Sequence, residues 1–218
     1  MKFKKKRTEK YQYLLSILIV NFVLAGFLSG DIGRLLLSAL FVCAIVVIVR
    51  SFCLNSFLFR VFIGIAVLAF LLEFIGRLGL YESIRTYLFL VQGVYAIYST
   101  AAIYLILRNM RASDRVTADI IRGGICVYLL IGFVWAFIYG IIASIDPQAF
   151  SRSIIETESY GENIYFSFTT LTTVGYGDIT PASSWAKMFA NLEGIIGQIY
   201  PSVFLSILVS EYLSQRNR

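Results

Sequence analysis

The chain has 218 residues, a net charge of +6, and a composition that is 58% hydrophobic but only 15% charged. Soluble domains average roughly 45–50% apolar and about 25% charged residues, so this composition argues strongly against a soluble fold. The apolar residues lie in long runs, such as Leu35–Val49 and Val61–Leu72, which favour helices that cross a bilayer, where a span takes about 20 residues.

Taken in chain order, the apolar runs predict an all-α membrane protein with six transmembrane helices. Their predicted ranges are Tyr11–Leu28, Gly33–Val49, Asn55–Ile75, Thr86–Leu107, Ile121–Ser144 and Ser184–Ser214. The polar connection between the last two helices carries an apolar stretch of its own, Asn163–Thr172. This stretch predicts a short helix within a re-entrant segment, which enters the membrane and returns to the same side. A polar linker at 108–120 separates a four-helix block, 11–107, from a second block, 121–218, and residues 1–10 form a basic N-terminus.

Basic residues predict the orientation of these helices. With the N-terminus inside, the cytoplasmic side collects Lys2, Lys4, Lys5, Lys6, Arg7, Lys10, Arg50, Arg60, Arg108, Arg111, Arg115, Arg122, Arg216 and Arg218. Because cytoplasmic loops of membrane proteins carry the excess of Lys and Arg, both termini are predicted to be cytoplasmic. The N-terminal cluster could also bind anionic lipid headgroups, although its role in orientation explains it equally well.

The segment Thr169–Asp178, with the sequence TTLTTVGYGD, carries the strongest functional signal. An ion that enters a narrow pore loses water, and consecutive backbone carbonyls can replace that water only if they point to one side. An extended strand alternates its carbonyls, so some residues must take left-handed dihedrals, which Gly175 and Gly177 tolerate. The side chains of Val174 and Tyr176 are then expected to point into surrounding protein. A plain glycine-rich turn explains the glycines but not the residues between them.

The stretch Thr169–Asp178 resembles the selectivity-filter signature of potassium channels over its whole length, and its part Thr172–Asp178 is here termed the filter loop. The resemblance implies a homotetramer, with K+ as the permeant ion and no further cofactor. The implied filter residues, of which the first four are the K+ ligands, are Thr173, Val174, Gly175, Tyr176 and Gly177. The implied supporting residues are Thr172, Asp178, Tyr165 and Phe166, the last of which simple packing explains at least as well.

The predicted sixth helix contains the candidate gating residues. Gly194, Gly197 and Pro201 are candidate bending points, because Gly loosens a helix and Pro interrupts its hydrogen bonds. Gly197 lies where related channels have a hinge glycine, yet close packing between membrane helices explains it equally well. Glu193 is an ionisable residue within a membrane segment, so it is expected either behind the filter loop or on the inner cavity.

Six helices with a re-entrant loop resemble the voltage-gated-like cation channel superfamily. In its voltage-sensing members the fourth helix carries a basic residue at every third position, whereas Thr86–Leu107 contains no charged residue. Moving one charge across the membrane is worth about 2.3 kcal/mol per 100 mV, so this helix offers no source of steep voltage dependence. Glu73 and Arg77 lie on one face of the third helix, so their side chains can form an ion pair. An ion pair explains these two residues better than a role in sensing voltage.

The expected function is passive K+ conduction by a channel that is not conventionally voltage-gated. The alternatives are a weakly selective cation channel and a potassium-transporter subunit that acts with a partner. The compact form is similar to that of small bacterial channels, which implies the plasma (inner) membrane. With no His and no nucleophile constellation, the sequence does not indicate an enzyme, and nothing in it indicates nucleic-acid binding.

Overall fold

A computed structural model of the chain describes residues 10–28, 30–51, 56–77, 84–112, 116–152, 154 and 161–216. These residues form helices joined by short loops, with one isolated antiparallel β-bridge. In chain order the helices are α1 (Lys10–Ala25), α2 (Gly30–Ser51), α3 (Ser56–Arg77), α4 (Ile84–Arg111), α5 (Ala118–Ile145), α6 (Glu162–Leu171) and α7 (Ser184–Arg216). The structure is therefore all-α, as the sequence predicts.

The helices agree with the sequence-predicted ranges within a few residues at most ends. Among the described residues, three stretches are long and apolar enough to cross a membrane, namely Leu88–Arg111, Ala118–Ile145 and Ser184–Gln215. The described apolar parts of α1, α2 and α3 are shorter. Six membrane crossings therefore remain a prediction, while an all-α protein with membrane-length helices is what the structure shows.

Some sequence-predicted features lie outside the described residues. These are the basic cluster within residues 1–9, Arg115, Arg218 and the side chains of Lys10, Arg50, Glu73 and Arg77. The pairing of Glu73 with Arg77 and the binding of lipid headgroups by the N-terminus stay predictions.

Three helix ends that were predicted to be cytoplasmic lie together. The side-chain amide of Asn109, near the end of α4, donates to the hydroxyl of Tyr11, near the start of α1, at 2.9 Å. The backbone N–H of Tyr11 donates to the Asp119 carboxylate, in the first turn of α5, at 3.1 Å. Thr117 caps α5 by accepting a hydrogen bond from the N–H of Ile120, which satisfies a donor that the helix itself leaves unpaired.

The first helices and the second block share one of the two hydrophobic clusters found among the described residues. This cluster of buried residues draws on α1 to α6. Within it, the Phe168 ring of α6 contacts Phe22 of α1 at 4.5 Å and Phe133 of α5 at 5.6 Å between ring centroids. Helix α1 therefore packs against both α5 and α6, a contact that no local sequence pattern predicts.

The two ends of the connection between α5 and α7 are tied to each other. Phe150 and Pro181 form the isolated bridge, and the N–H of Ser151 donates to the Thr180 carbonyl at 2.8 Å. The N–H of Ala182 donates to the Ala149 carbonyl at 2.7 Å. The chain thus leaves α5 and enters α7 at one place. Helix α6 and the filter loop belong to the segment that these contacts close into a loop.

Candidate ion-binding loop

Helix α6 runs from the bridged end of α5 and α7 toward the middle of both helices. At its far end, the Leu171 carbonyl accepts a hydrogen bond from the Tyr128 hydroxyl of α5 at 3.4 Å. The same carbonyl lies against Gly197, which is roughly 20 Å along α7 from Ser184 at 1.5 Å per residue. The segment therefore enters about halfway along α5 and α7, and the filter loop brings it back to the bridge at Pro181.

The filter loop has a left-handed residue at every second position. The φ angles are 61° at Thr173, 53° at Gly175 and 80° at Gly177, whereas Val174 and Tyr176 do not have positive φ. The dihedral prediction for the two glycines is confirmed, but the sequence reasoning did not predict Thr173, for which left-handed φ costs about 1–2 kcal/mol. In an extended strand, successive carbonyls point to opposite sides. Left-handed dihedrals at every second residue reverse this alternation, so that successive carbonyls can point to the same side.

Backbone N–H groups anchor the start of the filter loop to the end of α6. The N–H of Thr173 donates to the Thr170 carbonyl at 3.0 Å, and that of Gly175 donates to the Thr169 carbonyl at 3.1 Å. Among the described residues, the carbonyls of 173–177 accept no hydrogen bond. These N–H groups of the filter loop therefore bond to α6, while the carbonyl oxygens of the loop are available to a ligand.

The side chains of the filter loop are largely exposed in a single chain. Val174 is 52% and Tyr176 is 72% exposed. The Tyr176 ring stacks on Tyr165 of α6, with 6.3 Å between centroids and 1° between ring planes. The expected packing of both side chains into surrounding protein is thus incomplete within one chain.

The predicted supporting residues occupy different environments. The Tyr165 hydroxyl lies near the Asp178 carboxylate, so α6 is next to the outer end of the filter loop. Phe166 is buried, and its ring packs against Tyr139 at 4.8 Å and Phe150 at 5.2 Å. Thr172 donates from its hydroxyl to the Phe168 carbonyl at 2.5 Å. Phe166 therefore makes the packing contacts that the sequence left as an alternative to filter support.

Replacing Tyr165 with Phe is expected to weaken the filter loop while keeping the ring stack on Tyr176. The variant loses the hydroxyl that lies near the Asp178 carboxylate and keeps the aromatic ring. We expect K+ flux into liposomes to fall about threefold to tenfold. Tyr212→Phe is the matched control, because Tyr212 is an exposed tyrosine on α7. Equal flux in the two variants would contradict a structural role for the Tyr165 hydroxyl beside Asp178.

The candidate bending points of α7 differ in their surroundings. A Cβ added at Gly197 would lie 2.0 Å from the Leu171 carbonyl oxygen, whereas one added at Gly194 would meet nothing within 4 Å in this chain. Pro201 lies inside α7, which continues through it. Proline lacks the N–H that would bond to the carbonyl four residues earlier, which here is that of Gly197. Gly197 and Pro201 therefore affect the same helical turn of α7. Gly197 also packs closely against α6.

Glu193 is buried behind α6, the helix that precedes the filter loop. Its side chain is 0% exposed, at the junction of α5, α6 and α7. One carboxyl oxygen accepts from the Tyr139 hydroxyl at 2.5 Å, and the other is 2.6 Å from the Ser167 hydroxyl oxygen. The sequence analysis did not identify Tyr139 and Ser167 as partners of Glu193. The signal for them was Glu193 itself, because a carboxyl group buried in a membrane protein requires hydrogen-bond partners.

The acidic residues near the bridge are partly neutralised. Glu162, in the first turn of α6, pairs with Arg152 at 2.9 Å. Asp146 ends α5 and accepts a hydrogen bond from the N–H of Gln148 at 3.0 Å. Glu156 and Glu158 lie outside the described residues.

Residues 124–214, from α5 to the end of α7, match a family model described as "Ion channel". No solved structure matches the chain. The matched residues include α6 and the whole filter loop. Helices α1 to α4 lie outside the matched residues.

The chain is also similar to curated potassium channels of plants and to one bacterial protein. It is 31% identical to "Two-pore potassium channel 5" of Arabidopsis thaliana over 127 residues, which is 52% of this chain and 28% of the relative. It is 40% identical to "Two pore potassium channel c" of Oryza sativa subsp. japonica over 67 residues, 31% of this chain and 15% of the relative. It is 29% identical to "Protein LctB" of Bacillus caldotenax over 109 residues, 48% of this chain and 81% of the relative. The chain thus spans less than a third of the plant relatives' length.

Proposed function

We propose that the chain is one subunit of a potassium-selective channel that conducts K+ passively through a ring of backbone carbonyls. The observation that carries the proposal is the alternation of left-handed φ at Thr173, Gly175 and Gly177. In the same residues the carbonyls accept no hydrogen bond within the described part of the chain. A loop with this backbone can present several oxygens toward one line of ions.

The proposed K+ ligands are the carbonyls of Thr173, Val174, Gly175 and Tyr176, together with the Thr173 hydroxyl. These oxygens replace the hydration shell that the ion loses on entering the pore. The filter loop follows directly on the C-terminus of α6, where aligned peptide dipoles leave partial negative charge that favours a cation. Tyr165 supports this arrangement through Asp178, and Thr172 through its hydrogen bond to α6.

Several copies are proposed to surround the ion, because one filter loop offers too few oxygens, and the resemblance to potassium channels implies four. The exposure of Val174 and Tyr176 supports the proposal, since both side chains need a neighbour to cover them. Helix α7 also exposes many large apolar side chains, among them Trp185, Met188, Leu192, Ile195, Ile199, Val203, Leu205 and Val209. A closed ring of identical subunits covers such surfaces with the same contact in each copy.

The proposed channel lies in the plasma (inner) membrane, with α1 to α5 and α7 crossing it and both termini in the cytoplasm. The contacts that join Tyr11 to Asn109 and Asp119 support this topology, since they place three predicted cytoplasmic ends together. Opening is not conventionally voltage-dependent in this proposal, because Thr86–Leu107 of α4 has no charged residue to move in the field.

The test is ion flux through the purified full chain in liposomes. We expect K+ and Rb+ to enter and Na+ to be excluded, and the detergent-solubilised protein to have the mass of four chains. Equal flux of Na+ and K+ would replace the proposal by a weakly selective cation channel. Complete absence of K+ flux from a folded tetramer would overturn the proposal and favour a transporter subunit that needs a partner.

A further inference from the structure

Glu193 is the buried acid at which three helices of the proposed pore meet. Its two carboxyl oxygens contact Tyr139 of α5 and Ser167 of α6, while the residue itself belongs to α7. The Ser167 hydroxyl oxygen also lies 2.7 Å from the Gly132 carbonyl oxygen of α5. The contacts form a chain that runs from Tyr139 through Glu193 and Ser167 to Gly132.

Counting protons assigns the charge state of this network. Three hydrogen bonds are made, and each needs its own proton. The Tyr139 and Ser167 hydroxyls supply one proton each, and the Gly132 carbonyl can only accept. If Glu193 were ionised, two protons would have to serve three short contacts. One of the Ser167 contacts would then bring two acceptors together at less than 3 Å.

A protonated Glu193 satisfies every contact. Its acid O–H donates to the Ser167 oxygen, the Ser167 hydroxyl donates to the Gly132 carbonyl, and the Tyr139 hydroxyl donates to the second carboxyl oxygen. The environment agrees with a neutral acid, because a buried carboxylate without a cationic partner is strongly disfavoured. Within the described part of the chain, the groups bonded to Glu193 are uncharged hydroxyls.

We infer that Glu193 keeps its proton and is a positioning residue, which fixes α6 between α5 and α7 through Ser167 and Tyr139. Helix α6 in turn fixes the filter loop, because the carbonyls of Thr169 and Thr170 accept the N–H groups of Gly175 and Thr173. This inference rests on the proposed function for its effect on conduction. The charge state of Glu193 does not depend on that function.

The first measurement is infrared spectroscopy of the purified protein at neutral pH, with wild type compared to Glu193→Gln. The difference spectrum is expected to show the loss of a protonated carboxylic-acid C=O band. Ser167→Ala is expected to shift that band to higher frequency, because the acid loses its acceptor. Loss of carboxylate bands alone in Glu193→Gln would overturn the assignment. Glu211→Gln, elsewhere on α7, is the control for an acid outside the network.

The second measurement is K+ flux in liposomes, together with the ratio of K+ to Na+ flux. Glu193→Gln is expected to stay within about twofold of wild type, because an amide donates to Ser167 and accepts from Tyr139 as the neutral acid does. Glu193→Leu, which does neither, is expected to lose at least tenfold in K+ flux or in the flux ratio. A Glu193→Gln variant as impaired as Glu193→Leu would show that the charge is needed and would overturn the inference.

The two measurements separate failure of the inference from failure of the proposed function. If wild type passes no K+, the proposed function fails, and the infrared result still decides the proton on Glu193. If wild type passes K+ and Glu193→Leu is folded and matches it in flux and flux ratio, the positioning role fails while the channel stands. If Glu193→Leu does not fold, Glu193→Gln and the infrared spectra decide the inference.

Discussion

Replacing Gly177 with alanine is expected to abolish potassium-selective flux. Its φ of 80° lies in a region that an L side chain occupies at a cost of about 1–2 kcal/mol. A Cβ at this position meets nothing within 4 Å, so within one chain the effect comes from the backbone rather than from a clash. With four copies around the proposed ring the cost is about 4–8 kcal/mol, or about a thousandfold or more in the population of the conducting form.

The measurement for Gly177→Ala is K+ flux in liposomes and its ratio to Na+ flux. We expect flux at least a hundredfold below that of wild type, or a ratio near that of a nonselective pore. Gly93→Ala is the matched control, since Gly93 lies within α4 and an added Cβ there also meets nothing within 4 Å. Wild-type flux and selectivity in Gly177→Ala would contradict a carbonyl-lined filter at this loop.

Replacing Gly197 with alanine is expected to push α7 away from α6. The added Cβ would lie 2.0 Å from the oxygen and 2.8 Å from the carbon of the Leu171 carbonyl, and backbone cannot rotate aside as a side chain can. Overpacking of this kind costs about 1–3 kcal/mol. Because Leu171 ends the helix that anchors the filter loop, we also expect at least a tenfold loss of K+ flux.

Thermal unfolding distinguishes packing from hinge bending at Gly197. If the glycine serves only as a hinge, alanine should raise stability, because alanine favours a helix over glycine by about 1 kcal/mol. If it serves close packing, we expect the midpoint to fall by about 2–12 °C for a chain of this length. Gly194→Ala is the control and is expected to leave the midpoint unchanged or slightly raised. A stabilised Gly197→Ala with reduced flux would contradict packing as the main role.

Local patterns were sufficient for the parts of the molecule that depend on neighbouring residues in sequence. The apolar runs predicted α1 to α7 within a few residues at most ends. The filter loop followed from glycines at alternate positions, because left-handed backbone is a property of single residues. The left-handed Thr173 escaped prediction, since a β-branched residue takes that conformation only where its surroundings enforce it.

Contacts between distant segments required the tertiary structure. Gly197 was a candidate for both hinge bending and close packing, and only the structure showed the Leu171 carbonyl against it. Phe166 could support the filter or fill the core until its ring was found between Tyr139 and Phe150. Each of these alternatives involves residues far apart in the chain, so no spacing or propensity distinguishes them.

The sequence by itself determined that this is a membrane-embedded helical chain with a glycine-containing loop able to turn its carbonyls one way. Hydrophobic run length and the missing Cβ of glycine are sufficient for both conclusions. Only the tertiary structure decided that Glu193 lies behind α6 between two hydroxyls, where a neutral acid satisfies all three hydrogen bonds. Burial and proton sharing arise when separate helices meet, so no single stretch of sequence contains them.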